Sequence, residues 1–426
     1  MGRISAMHWM KRAAWAAALA AAPLASAAAE PLVQTQAEAL EQDARAFAEQ
    51  ARLAPDEALQ RLRFQEESVS ATDALRERYQ ERLAGLFIEH RPDHRVVVLL
   101  TGKRKMPAGT IIAGGRSVPV VFRTGAKATQ AAVVAAIRRH QAQIREALDR
   151  PPAMGADPRT GELVVLVHRK DAQWQTAEAL DARFEALTGV PVRIRVMDGE
   201  GADLGLEGGA RVSGVVPESG RREYCTSGFV VTDGARTGLV TAAHCPDSLT
   251  YRDPQGGDIP LTFLGQWGWS FQDVQLHLGD AEHSPLFYAD AAKTVVRSIT
   301  GVRGRASSRV GDIVCRRGET SGYGCSELEL TDFAPPGDLC GGPCAPTWVT
   351  VKGGCRGGDS GGPVFTGTVA LGIVNGGGSH SRSGKCDYWF YMPVDFMPDG
   401  WSVLTDRGAA VLPQRRAERS TSRRAK

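Results

Sequence analysis

The sequence predicts an all-β back half stapled by disulfides and an α+β front half before it. Three observations carry this. All eight cysteines lie after residue 224. Before residue 198, helical stretches alternate with apolar strands, whereas beyond residue 220 only short β-runs follow, separated by Gly, Asp and Ser turns. With 426 residues the chain has room for two or three domains, and 42% hydrophobic with 23% charged residues is ordinary for globular protein. A net charge of +3 gives no reason to expect a nucleic acid or membrane-surface partner.

The first residues read as a leader. Arg3, Lys11 and Arg12 form a positive region, Ala13 to Leu24 is short and apolar, and Ala25-Ser26-Ala27 or Ala27-Ala28-Ala29 offers a small-residue cleavage site. Residues 1–29 are therefore expected to be a signal peptide, with a secreted product free of the membrane. An even cysteine number in an exported chain points to disulfides. Cys340-Gly-Gly-Pro-Cys344 is the only close pair and has no second knuckle, so neither metal nor cofactor is expected.

Leu32 to about Gln80 is helical in character, with Leu59, Leu62 and Phe64 at helical spacing and Pro55-Asp56 as a start signal. Arg95 to Leu100 reads as a strand, Ala128 to Leu148 as a helix and Glu162 to His168 as a strand. Ala177 to Leu187 reads as a helix ending near Gly189, and Val190 to Val196 as a strand. Between Asp198 and Gly220 glycines and charges replace the periodic pattern, which predicts a linker or processing region. Phe229 to Val231, Leu239 to Thr241 and Val369 to Val374 then read as strands of a barrel or sandwich. The basic run Arg415 to Lys426 reads as a solvated tail.

The chemistry sits in Gly357-Gly358-Asp359-Ser360-Gly361-Gly362-Pro363. Amide hydrolysis needs a nucleophile, a base, a group that orients the base, and donors for the oxyanion. Ser360 is the nucleophile candidate, with the N–H groups of Gly358 and Ser360 as oxyanion donors. His244 is the base candidate, because Leu239-Val-Thr-Ala-Ala-His244-Cys245 ends a buried strand in small residues and then presents an imidazole. Asp253, Asp258, Asp273 and Asp280, all between His244 and Ser360, are the candidates for the orienting carboxylate. Asp273 is preferred. Apolar positions Trp267, Trp269 and Phe271 give way to the opposite phase at Val274, Leu276 and Leu278, which places Asp273 at a bend against the core. A carboxylate held there needs a partner such as a histidine N–H.

These residues resemble the bacterial chymotrypsin-like endopeptidases that include α-lytic protease and the streptogrisins. Cys225-Thr-Ser-Gly-Phe-Val-Val231 with the following TAAHC looks like the start of that catalytic domain. Val314 to Cys325 resembles its disulfide loop, and Ala370 to Gly377 the strand bordering its specificity pocket. Phe87 to Pro92 and Thr188 to Pro191 are similar to its large pro-region. The resemblance implies two six-stranded barrels with the site between them. It also implies the pairings Cys225–Cys245, Cys315–Cys325 and Cys355–Cys386, with Cys340–Cys344 left as a local bridge; the residues alone leave 105 connectivities open.

The family also implies domain roles: residues 30–205 as a pro-region that folds and inhibits, 206–412 as the protease, and 413–426 as the tail. Its own pro-region and polypeptide substrates are the expected partners of a monomer. No Ile-Val-Gly-Gly start precedes Cys225, so Asp359 needs another cation, and an Arg316–Asp359 ion pair is expected. Two departures stand out. The link from Cys355 to Ser360 is one residue shorter than the family pattern, with Arg356 in it. The insert from Asp332 to Trp348 is unlike the short family members, and Asn375 stands where they usually have serine. Asn375, Gly376, Gly377 and Arg356 are the substrate-binding candidates, with Gly376 and Gly377 leaving an open pocket edge for an apolar P1 side chain. The competing readings are a catalytically silent protease-fold binding module and a front half that stays attached as a binding domain.

Overall fold

The structure, a computed structural model, describes residues 32–409 except 175, 198–200, 204–209, 218, 253–256, 269, 280–282, 337–339, 341 and 379–385. The expected leader, the basic tail, and Asp253 and Asp280 lie outside the described residues.

The front half is α+β, as its alternating pattern predicts. Helix Gln36–Ala51 starts on Thr35, whose hydroxyl accepts from the Glu38 N–H while the Glu38 carboxylate accepts from the Thr35 N–H. Pro55 opens helix Pro55–Glu67, where its missing N–H costs nothing, and Val69–Tyr79 follows. Beside these helices lies a sheet in the order Leu83–Glu89, Arg95–Thr101, Arg116–Ala126, Gly109–Ala113. A second layer combines strands Ala153–Asp157, Glu162–His168 and Val192–Met197 with helices Gln130–Glu146 and Ala177–Thr188. The latter helix stops at Gly189, whose φ of 70° only glycine adopts cheaply.

In the back half, strands Ile313–Gly318, Pro363–Thr366, Val369–Gly378, Tyr388–Pro393, Trp348–Lys352 and Gly322–Ala334 pair in that order. The first also pairs with the last, so the ring closes. The other lobe is not one hydrogen-bonded ring among the described residues. It joins a six-strand sheet containing Thr262–Trp267, Val274–Leu278, Thr237–Thr241, Val230–Thr232 and Ser402–Thr405 to a four-strand sheet containing Arg211–Val215, Arg222–Thr226 and Leu249–Arg252. The segment read as a linker therefore contains a strand. Arg211–Val215 pairs with Arg222–Thr226 and buries Val212; five residues among glycines are too few to show a period. The four disulfides are Cys225–Cys245, Cys315–Cys325, Cys340–Cys344 and Cys355–Cys386.

The two halves are continuous. Strand Ala153–Asp157 extends the ring antiparallel at Phe333↔Gly155 and Ala334↔Met154. The Gln65 side chain accepts from the Ile313 N–H at 2.6 Å and donates to the Ile313 carbonyl at 3.1 Å, behaving as a one-residue strand. No helix among the described residues is long and apolar enough to cross a membrane.

Candidate active site

Neighbouring strands bring the histidine and the aspartate together. Thr241, the last residue of strand Thr237–Thr241, pairs with Gln275 of Val274–Leu278, so His244 and Asp273 leave the same end of the sheet. Ala242 and Ala243 are buried, and Cys245 is bonded to Cys225 on the adjoining sheet, which fixes where the imidazole emerges. Ser360 arrives from the ring, in the turn before Pro363–Thr366. That turn is tied to the other lobe: the Thr226 N–H donates to the Ser360 carbonyl at 2.6 Å and the Thr226 hydroxyl to the Gly358 carbonyl at 3.3 Å.

His244 Nδ1 lies 2.9 Å from Asp273 Oδ2, and the His244 backbone N–H donates to Asp273 Oδ1 at 3.1 Å. His244 Nε2 lies 3.0 Å from Ser360 Oγ. An ionised carboxylate only accepts, so Nδ1 carries the proton and Nε2 is left with the lone pair that faces the hydroxyl. Asp273 is fully buried, and Ser270, three residues before it, has φ 65°. Asp258 is exposed and pairs with Arg252 at 2.9 Å.

Gly358 has φ 109° and Gly361 φ 85°. At Gly361 a Cβ would stand 2.1 Å from both the Thr226 carbonyl oxygen and Thr241 Oγ1, so the turn after the serine admits only glycine. Asp359, also fully buried, has Arg316 Nη1 3.0 Å from its Oδ2, and Arg316 lies over the Trp389 ring. The Ser321 N–H and hydroxyl, and the Arg356 N–H, donate to the same carboxylate. Nothing in the sequence pointed to Ser321, which lies 38 residues before Asp359.

The substrate-side residues differ from expectation. The Asn375 side chain does not face a pocket: it is fully buried, accepts from Trp348 Nε1 at 3.2 Å and donates to the Asp273 carbonyl at 3.0 Å. Gly376 and Gly377 do not form an open edge either. A Cβ at Gly376 would stand 2.4 Å from the Phe390 ring, and one at Gly377 2.6 Å from Cys355 Sγ, so close approach from within explains both glycines. Their strand edge is occupied by Gly201–Asp203, antiparallel with Asp203 opposite Gly376 and Ala202 opposite Gly377. The Arg356 side chain is exposed.

Behind the histidine, Gln275 donates to the Cys245 carbonyl at 3.2 Å and faces His277 Nε2 at 2.7 Å. Burial pushes the His277 imidazole down to about 4, which keeps it neutral near pH 7.

A serine, an imidazole and a buried carboxylate in series, where an all-β lobe meets a closed six-stranded ring, form the arrangement found in chymotrypsin-like serine peptidases. No protein-family model matches the chain. It is 30% identical over 190 residues to streptogrisin-C of Streptomyces griseus, covering 43% of this chain and 39% of that protein. It is 29% identical over 181 residues to streptogrisin-D of the same organism, covering 41% and 43%. Serine protease 2 of Streptomyces fradiae is 29% identical over 163 residues, 38% of this chain and 90% of that one. The chain thus spans about two fifths of the length of the streptogrisins it matches. Among solved structures, Thermobifida fusca protease A matches with 25% identity and a TM-score of 0.35 over 45% of this chain and 92% of its own. An α-lytic protease homologue matches with 20% identity and a TM-score of 0.34 over 44% and 93%. By these relatives the chain is similar to bacterial chymotrypsin-like serine proteases.

Proposed function

We propose that this chain is a secreted serine endopeptidase that acts through an acyl-enzyme and is made as a self-processing precursor. The observation that carries the reading is the unbroken series from Asp273 through His244 to Ser360, with contacts of 2.9 and 3.0 Å. Ser360 Oγ attacks the scissile carbonyl while His244 Nε2 takes its proton. Asp273 stays ionised and stabilises the imidazolium that forms. The N–H groups of Gly358 and Ser360 receive the oxyanion, a contribution of about 10²–10³ in turnover for each donor. His244 then gives its proton to the leaving amine, and water repeats the sequence to free Ser360.

A polypeptide substrate lies antiparallel along strand Val369–Gly378, beside the serine. Gly201–Asp203 occupying that edge supports a front half that blocks its own enzyme and is cut just after it. The cleaved bond then falls between Asp203 and Ala210, which agrees with a pro-region of 30–205 and a protease of 206–412. Asp359, neutralised by Arg316 rather than by a new amino terminus, suits activation by removal of the front half.

The test compares the full chain with its Ser360→Ala variant, following processing on a gel and labelling by an organophosphonate. Wild type is expected to be processed and labelled and the variant neither. Identical processing with no label on either would leave the silent binding module as the better reading.

A further inference from the structure

Asn375 and the insert ending at Trp348 are two of the places where the chain departs from the family it resembles, and the structure joins them. Trp348 Nε1 can only donate, so the Asn375 atom 3.2 Å away is Oδ1. Asn375 Nδ2 then faces the Asp273 carbonyl at 3.0 Å, which can only accept, so the amide has one self-consistent orientation. Trp348, Asn375 and Asp273 are all fully buried, out of reach of water that could replace a lost partner.

The same insert holds the residues before Asp273. The Ala345 N–H donates to the Ser270 carbonyl at 2.6 Å, and the Thr347 hydroxyl to the Phe271 carbonyl at 2.8 Å. The Ser270 N–H reaches the Cys340 carbonyl at 3.4 Å. Cys340 is bonded to Cys344, so these contacts come from one clamped loop. Ser270 sits at φ 65°, a conformation a serine keeps only where its surroundings over-determine it. Both carboxylate oxygens of Asp273 are engaged by His244, so its placement depends on how its backbone is held.

We propose that Asn375 and Trp348 are positioning residues for the reaction: with the loop clamped by Cys340–Cys344 they hold the Asp273 backbone so that its carboxylate meets His244. This rests on the triad reading above, and it moves Asn375 from substrate selection to alignment of the acid. Neither residue touches the substrate; each acts through Asp273.

The experiment uses the full chain after its own processing, with Trp348→Phe, which keeps a ring and removes the donor, and Asn375→Ala. Misalignment of this kind is expected to lower kcat on a chromogenic peptide by about 10- to 100-fold, with KM within about twofold. The acid limb of kcat/KM should move to lower pH, because a displaced carboxylate stabilises the imidazolium less. Both residues lie on one path, so the double variant should be no slower than Asn375→Ala alone. Thr347→Val, which removes only the contact to Phe271, should show a smaller fall in kcat, and it carries the test should either buried variant fail to fold. Folded variants with unchanged kcat and acid limb would overturn the inference, and so would losses confined to KM. Wild type that is unlabelled by the organophosphonate would instead sink the triad reading, so the two failures are told apart.

Discussion

Replacing Asp43 is the sharpest probe of how the front half is held on the back half. Asp43 and Arg297 are both fully buried, one in helix Gln36–Ala51 and the other in the back half. The carboxylate accepts from Arg297 Nη1 at 2.9 Å, from the Gly367 N–H at 2.6 Å and from the Tyr323 hydroxyl at 2.6 Å. Burial pushes the Asp43 carboxyl upward, opposed by Arg297, the Tyr323 hydroxyl and the Gly367 N–H. Asp43→Ala removes the only carboxylate paired with Arg297 among the described residues, leaving Gln34 and the Gly367 carbonyl as its acceptors. Breaking one side of a buried pair costs about 3–5 kcal/mol, whereas replacing both sides by apolar groups is often near neutral. In a Ser360→Ala background, which keeps the chain whole, urea unfolding should show that loss for Asp43→Ala. Asp43→Leu combined with Arg297→Met should cost well under the sum of its single variants. A loss below about 1 kcal/mol, or additivity within about 0.5 kcal/mol, would refute the reasoning.

Three further predictions follow from other parts of the interface and site. Burial drives His90 down, and it drives His94 to about 3, helped by the nearby His90, Arg61 and Arg116; His277 falls to about 4. The unfolded chain therefore binds more protons than the folded one below about pH 6.5, and the melting temperature should fall as pH drops from 7 through 5. His94→Phe should flatten that fall, and a melting temperature that stayed level or rose across the range would contradict the assignment. Arg316→Ala leaves the buried Asp359 charge to Ser321 and the Arg356 N–H alone, so yield and activity should both drop. An active, equally stable variant would remove the ion pair from the account. Gly155→Val places a side chain where a Cβ already meets Leu330 Cδ1 at 3.0 Å and the Asp332 carbonyl oxygen at 3.1 Å. It should weaken the seam between the halves and reduce recovery of soluble full-length chain, measured against Gly324→Ala, whose Cβ would meet nothing.

Much of the site was legible because its chemistry is local. Thr241 to Cys245 and Gly357 to Pro363 each carry their own glycines, small residues and reactive group, and a break in alternation marked Asp273. Asn375 was misread because its role depends on Trp348, which only the strand pairings bring beside it: Val349 lies opposite Tyr391, and Tyr391 opposite Val374. The same limit hid strands Ala153–Asp157 and Arg211–Val215. Each is five residues long and defined by what it pairs with rather than by its own pattern. Helix Ala177–Thr188 declares its end in Gly189 and was correspondingly plain, whereas the stretch from Leu32 to Gln80, read only as helical in character, holds three helices.

The contacts between the halves share a feature that bears on how the back half forms. The ring closes only when Ile313–Gly318 has met both Gly322–Ala334 and Pro363–Thr366, and the second pairing joins Cys315 to Phe365, far along the chain. Pairings of that separation are slow, because loop entropy is lost before any contact rewards it. The front half touches these same strands. Gln65 satisfies both backbone groups of Ile313, Asp43 caps the Gly367 N–H just past Thr366, and Gly155 and Met154 pair with the far end of Gly322–Ala334. It supplies partners to the backbone groups that wait longest for their own. A front half that did nothing but block the substrate edge would need Gly201–Asp203 alone. Under the function proposed above, the additional contacts on the ring are what a template for its closure would require, which gives the two layers of helix and sheet before the back half a role beyond blocking.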